Sequence, residues 1–130
     1  MASILKVDEM QGVASAGNIT VTSEGGSATM HMQQGLCKAW AFVNGTDGSL
    51  RDSFNYSSAT DNAGSGDYSY GYTNPMGNAN FSGAAMANAG SNVGVTRGTN
   101  LTTGHDIFVF NTSNNSTNTA SSFMIQGDLA

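Results

Sequence analysis

The apolar residues of this chain recur at every second position in short runs, and nowhere do they hold helical spacing over a useful length. Ile19-Thr20-Val21-Thr22 alternates, and so does Ala28-Thr29-Met30-His31-Met32 beyond a Glu24-Gly25-Gly26-Ser27 turn, so the two read as a hairpin. Residues 38–43 set Trp40 and Phe42 on one face and Ala39, Ala41 and Val43 on the other. Trp40, the only tryptophan, is expected in the core with Phe42. Asn44-Gly45-Thr46-Asp47-Gly48 turns the chain, and the returning strand is expected to point Leu50, Phe54 and Tyr56 inward. Tyr68, Tyr70 and Tyr72 share one face of another strand, residues 81–86 read as a strand, and residues 90–103 offer only Val93, Val95 and Leu101 as apolar anchors. Ile107-Phe108-Val109-Phe110 and Phe123-Met124-Ile125 read as a final pair around an Asn/Ser/Thr loop. Short strands with turns about 8 to 12 residues apart are the pattern of a sandwich or small barrel.

Composition decides whether such strands have anything to bury. Ile, Leu, Val and Phe supply only 22 of 130 residues, whereas Gly, Ser, Thr and Asn supply 60; fewer than about 20% of those four apolar types is a composition associated with disorder. Charge argues against disorder, because only 10% of residues are charged and the net charge is −5. A thin core with little charge points instead to a fold that hides more apolar surface against copies of itself. The expectation is an all-β oligomer: a small antiparallel β-sandwich or jelly-roll-like knob over residues 36–130, with a short extended N-terminal arm over residues 1–35.

Several chemistries are disfavoured by what the chain contains. Its four cations, Lys6, Lys38, Arg51 and Arg97, make no basic stripe, so no nucleic-acid partner is expected. Cys37 is the only cysteine, which removes intrachain disulfides and cysteine-based zinc sites. No stretch reaches transmembrane length, and Lys6, Asp8 and Glu9 interrupt the opening residues, so neither membrane insertion nor a signal peptide is expected. His105-Asp106 cannot pair as a triad would, because strand neighbours point to opposite faces; His105 reads as an exposed residue at a strand start, and no catalytic residues are assigned. His31 would bring three nitrogens together on a three-fold axis, yet reads better as a solvated histidine. Residues 61–67 hold oxygen ligands without the order of a calcium loop. Neither metal nor cofactor is expected, and with no phosphate cradle the chain reads as a non-enzyme. Eight N-x-S/T triplets, starting at Asn18, Asn44, Asn55, Asn80, Asn100, Asn111, Asn114 and Asn115, reflect Asn and Thr recurring beside turns.

The run Lys38-Ala39-Trp40-Ala41-Phe42-Val43-Asn44-Gly45-Thr46, then Leu50-Arg51-Asp52-Ser53-Phe54-Asn55, then Ser57-Ser58-Ala59-Thr60-Asp61-Asn62, then Gly66-Asp67-Tyr68 resembles a tail-fibre-like domain of bacteriophages. Asn74-Pro75-Met76 with Asn78-Ala79-Asn80-Phe81 is similar to that family's next element, and Ser3-Ile4-Leu5-Lys6-Val7-Asp8 to the start of short fibre or spike proteins of marine and cyanobacterial phages. Here the loop between Asn62 and Gly66 is one residue longer than the family's, and the strand after it is less aliphatic. The resemblance covers about half the chain. It implies a virion protein, commonly trimeric, with a β-rich knob and a docking arm, and it supplies no catalytic residues.

The function expected from these readings is a short trimeric tail fibre or fibre tip on the virion surface, made in the host bacterial cytoplasm and contributing to host attachment. The alternatives are a capsid decoration or cement protein and a carbohydrate-binding module. Partners would be two further copies in a homotrimer, other virion proteins of the tail or capsid through the arm, which docks or trimerises, and a host surface glycan. Candidate contacts lie in two loops, Thr60, Asp61, Asn62 and Ser65 in one and Asn111, Asn114, Asn115 and Asn118 in the other, both rich in donors and acceptors for saccharide hydroxyls. Tyr68, Tyr70 and Tyr72 form a candidate aromatic face that either packs a sheet or stacks on sugar rings.

Overall fold

A computed structural model describes residues 4–11, 19–26, 28–62, 64, 66–88, 93–111, 113 and 115–127. The chain divides into two compact units, Met1–Leu36 and Cys37–Ala130.

In the first unit, β1 (Thr20–Thr22) and β2 (Thr29–His31) form the hairpin that the alternation implied, with Val21 opposite Met30. The turn is closed by Ser23 N donating to the Ala28 carbonyl at 2.8 Å. One helical turn, α1 (Met32–Gly35), follows. Val21 and Met30 both remain exposed, as do Ile4, Leu5, Val7 and Met10.

The second unit is all-β, with eight strands shared equally between two antiparallel sheets. β3 (Ala39–Val43), β4 (Leu50–Phe54), β7 (Ser82–Ala87) and β10 (Ser121–Gln126) make one sheet in the order β4-β3-β10-β7. β5 (Tyr56–Asp61), β6 (Asp67–Tyr72), β8 (Val93–Leu101) and β9 (Gly104–Asn111) make the other in the order β5-β6-β9-β8. Their inner faces share one core, as in a β-sandwich. The polar segment after β9 therefore does not join a hairpin: β9 and β10 lie in different sheets, and the residues between them carry the chain across.

The core is asymmetric, which accounts for the low aliphatic count. One sheet contributes Ala39, Ala41, Val43 and Ile125 with a single large ring, Phe123, while the other contributes Tyr56, Tyr68, Tyr70, Tyr72, His105, Ile107 and Val109. Sheets packed about 10 Å apart leave room for large rings from one side only where the other side is small. Two of the tyrosines reach across that gap to the 44–49 turn: Tyr68 Oη donates to the Gly45 carbonyl and Tyr70 Oη to the Gly48 carbonyl, both at 3.1 Å. Edge-on and tilted ring contacts join Tyr56, Tyr70, Tyr72, Phe81, His105 and Phe123.

That arrangement corrects three expectations. Trp40 and Phe42 are not core residues, because Ala39, Ala41 and Val43 occupy the tyrosine-facing side; Trp40 is 39% exposed on the outer face. Phe54 is outward as well, since a bulge between Phe42 and Val43 leaves Leu50 opposite Val43 but places Phe54 opposite Trp40, reversing the alternation within β4. His105 is buried, and its Nδ1 lies 2.9 Å from Tyr72 Oη. Its neighbour Asp106 points to the other face, where its carboxylate accepts from Ser69 Oγ at 2.7 Å.

Candidate functional site

Following the strands through both sheets brings the ends of β3, β5, β7 and β9 to one end of the sandwich, where three of their connections interlock. β3 runs up to the 44–49 turn, β5 up to the loop before β6, and β9 up to the segment that leads down into β10. The start of β3 and the end of β10 lie at the opposite end, so Cys37, where the chain enters this unit, is remote from the three connections.

Asn118 holds them together. Its Oδ1 accepts from Gly66 N at 2.8 Å and from Tyr68 Oη at 2.9 Å, and its Nδ2 donates to the Thr46 carbonyl at 3.3 Å, so one amide touches all three segments. Gly66 and Gly48 both have positive φ, of 73° and 67°, and a Cβ on either would strike the Val109 carbonyl or the Tyr68 ring. A side chain is therefore excluded at both positions on two counts.

Each loop is also tied within itself. Asn111 Oδ1 accepts from Ser113 N and Asn115 N at 3.0 and 3.1 Å, while Val109 accepts from Thr117 N at 2.9 Å. Asn62 Nδ2 donates to Asp67 Oδ1 at 3.1 Å and to Ser69 Oγ at 2.7 Å. In the 44–49 turn, Asp47 Oδ1 accepts from Ser49 N at 3.0 Å and Ser49 Oγ at 2.7 Å. The Ser49 backbone N–H, aided by its hydroxyl, holds the Asp47 carboxyl below the usual range.

The predicted contact residues therefore separate by role. Asn62, Asn111 and Asn118 spend side-chain atoms on the loops' own geometry. Thr60 and Asp61 are exposed but belong to the end of β5, paired with Ser69 and Tyr68, and not to the loop in which they were expected, because the β5–β6 ladder runs on to Asp61; Asn115 is exposed in the segment after β9. Ser65 and Asn114 lie outside the described residues. Tyr68, Tyr70 and Tyr72 are buried in the sandwich, so they form no face open to a sugar; burial pushes the hydroxyls of Tyr68 and Tyr70 above the ordinary tyrosine range.

A feature that the sequence reading missed lies on the outer face of the β4-β3-β10-β7 sheet. Trp40, Phe54, Met86 and Met124 are all exposed there, flanking a groove of about 440 Å³ whose lining includes Phe42, Ala84 and Ser122. Arg51 sits at its edge, with its guanidinium carbon 5.4 Å from the Phe42 ring centroid and Nη2 donating to Asn44 Oδ1 at 3.0 Å. The alternation of residues 39–43 carried this signal, since it separates the two large aromatics from the three small residues.

Exposed His31 lies on β2 in the first unit. Among the described residues no three His, Cys, Asp or Glu side chains converge as metal ligands would, and no helix is long and apolar enough to cross a membrane. Comparison with protein-family models, with curated proteins and with solved structures gives no match for this chain.

Proposed function

We propose that this chain is a structural protein of a bacteriophage virion, a short trimeric tail fibre or fibre tip whose sandwich knob contributes to host attachment. Eight strands divided evenly between two antiparallel sheets support a sandwich knob. The observation that carries the reading is the clustering of three polar loops at the end of the knob remote from the chain's entry, locked by Asn118. A rigid scaffold that presents exposed Thr60, Asp61 and Asn115 from one end suits recognition of a hydroxyl-rich surface, because prearranged loops lose little freedom on binding. The resemblance at residues 38–81 supplies the phage context, and the arm would dock to other virion proteins. The capsid-decoration alternative uses the same fold and binds no receptor.

The test replaces Thr60, Asp61 and Asn115 together with alanine in the phage that encodes the chain, leaving Asn62, Asn111 and Asn118 in place. Particles should assemble and adsorb to host cells at least tenfold more slowly. Normal adsorption by particles carrying the folded variant would refute attachment through this end.

A further inference from the structure

We propose that the outer face of the β4-β3-β10-β7 sheet, together with strand β7, is the surface on which a second copy of this chain packs. This rests on the trimeric reading above and adds to it the location of the contact.

The two outer faces of the sandwich differ in kind. That of the β5-β6-β9-β8 sheet carries a polar network, with Asn62, Ser69 and Asp106 joined by hydrogen bonds of 2.7 Å, and a single exposed aromatic ring on β9, Phe108 at 37% exposure. The opposite face carries Trp40, Phe54, Met86 and Met124 at 39%, 52%, 71% and 49% exposure. At about 200 Å² for a large side chain, these four present on the order of 400 Å² of apolar surface. A standard interface takes about 800 Å² from each partner, of which roughly 56 to 65% is apolar. The patch thus supplies most of the apolar area that one such contact needs, with Arg51 and Asp52 of β4 at its rim.

β7 adds an independent argument. Its sequence Ser82-Gly83-Ala84-Ala85-Met86-Ala87 has no charge and no proline, it lies at the end of its sheet, and residues Ser82 to Met86 are exposed on both faces. Proteins protect such edge strands with Lys, Pro, bulges or cover, because an unguarded edge invites another chain. β7 has none of the sequence guards, so cover is the remaining device.

The lining also selects the occupant. A glycan site needs several convergent polar groups, whereas the groove contributes one hydroxyl, that of Ser122. An anionic lipid surface needs several cations, and Arg51 is the sole one on this sheet's strands. A second copy brings exposed apolar side chains of its own, which suit a groove without charges in its lining.

The experiment uses the full chain and its single tryptophan. Light scattering with acrylamide quenching of Trp40, measured across a dilution series, should show a trimer in which Trp40 is at least threefold less accessible than in the dissociated chain. A Met86→Lys, Met124→Lys double variant, whose positions are both exposed in the single chain, should keep its thermal transition and raise the dissociation constant at least tenfold. A trimer whose Trp40 stays as accessible as in the dissociated chain would overturn this surface and leave the trimer standing. Trp40 protection that persists after dissociation would assign the groove to the chain's own apolar arm residues and likewise overturn it. A wild-type chain that stays monomeric at micromolar concentration would overturn both readings. The quenching result decides even if the double variant fails to fold.

Discussion

Two asparagines tie together segments distant in sequence. Asn118 joins three loops through one amide, so Asn118→Ala removes an acceptor from the Gly66 N–H and one of two acceptors from the Tyr68 hydroxyl. Leaving partly buried donors unmatched costs about 1 to 3 kcal/mol. The thermal transition should fall accordingly, and amide exchange at Gly66 should quicken by at least tenfold; unchanged exchange would show that the amide is not the lock. Asn55, at φ 63°, is the one described residue other than glycine in the left-handed region. Its Nδ2 donates to the Lys38 and Asn74 carbonyls, both at 3.0 Å, and its Oδ1 accepts from Asn74 N at 2.7 Å. Asn55→Gly loses the hydrogen bonds alone, whereas Asn55→Ala also meets the left-handed penalty of about 1 kcal/mol. Denaturant titration should therefore rank wild type above Gly and Gly above Ala.

At the scale of strands, period-two alternation is legible in the sequence, and it locates β3, β6, β9 and β10 because each has one face buried and one more solvated. Alternation does not say which face is inner. For β3 the bulkier face was the natural choice, yet the tyrosines of β6 fill the space that Trp40 would need, and that pairing across sheets is a tertiary fact. Nor does local pattern announce a bulge, so Phe54 was placed on the wrong side. The tyrosine layer makes its own prediction. Burial, the dominant cause at each, raises Tyr56, Tyr68 and Tyr70 above their ordinary value near 10, so the folded state favours the protonated phenol. The stability that this contributes is complete below about pH 10 and is lost as pH climbs from there toward the raised values. Tyrosinate absorbance should then appear in one cooperative step with the loss of β-sheet circular dichroism. Tyrosines titrating independently near pH 10 in a folded chain would contradict their burial.

For the molecule as a whole, the sequence disclosed an all-β chain, but the gathering of distant loops at one end and the apolar outer face depend on how the sheets stack, which no short window records. The loop candidates were chosen for their polar composition, and the structure divides them by hydrogen bonding into residues that hold the loops and residues free to face outward. The fold alone fits a fibre tip and a shell decoration equally well, and the two differ in how many copies a particle carries. The proposal of a virion protein is tested most directly by the number of copies of this chain in purified particles of its proposed phage, obtained by quantitative mass spectrometry against a major capsid standard. A trimeric tail fibre predicts a count on the order of ten and divisible by three. A count on the order of a hundred, or no copies in the particle, would contradict the account.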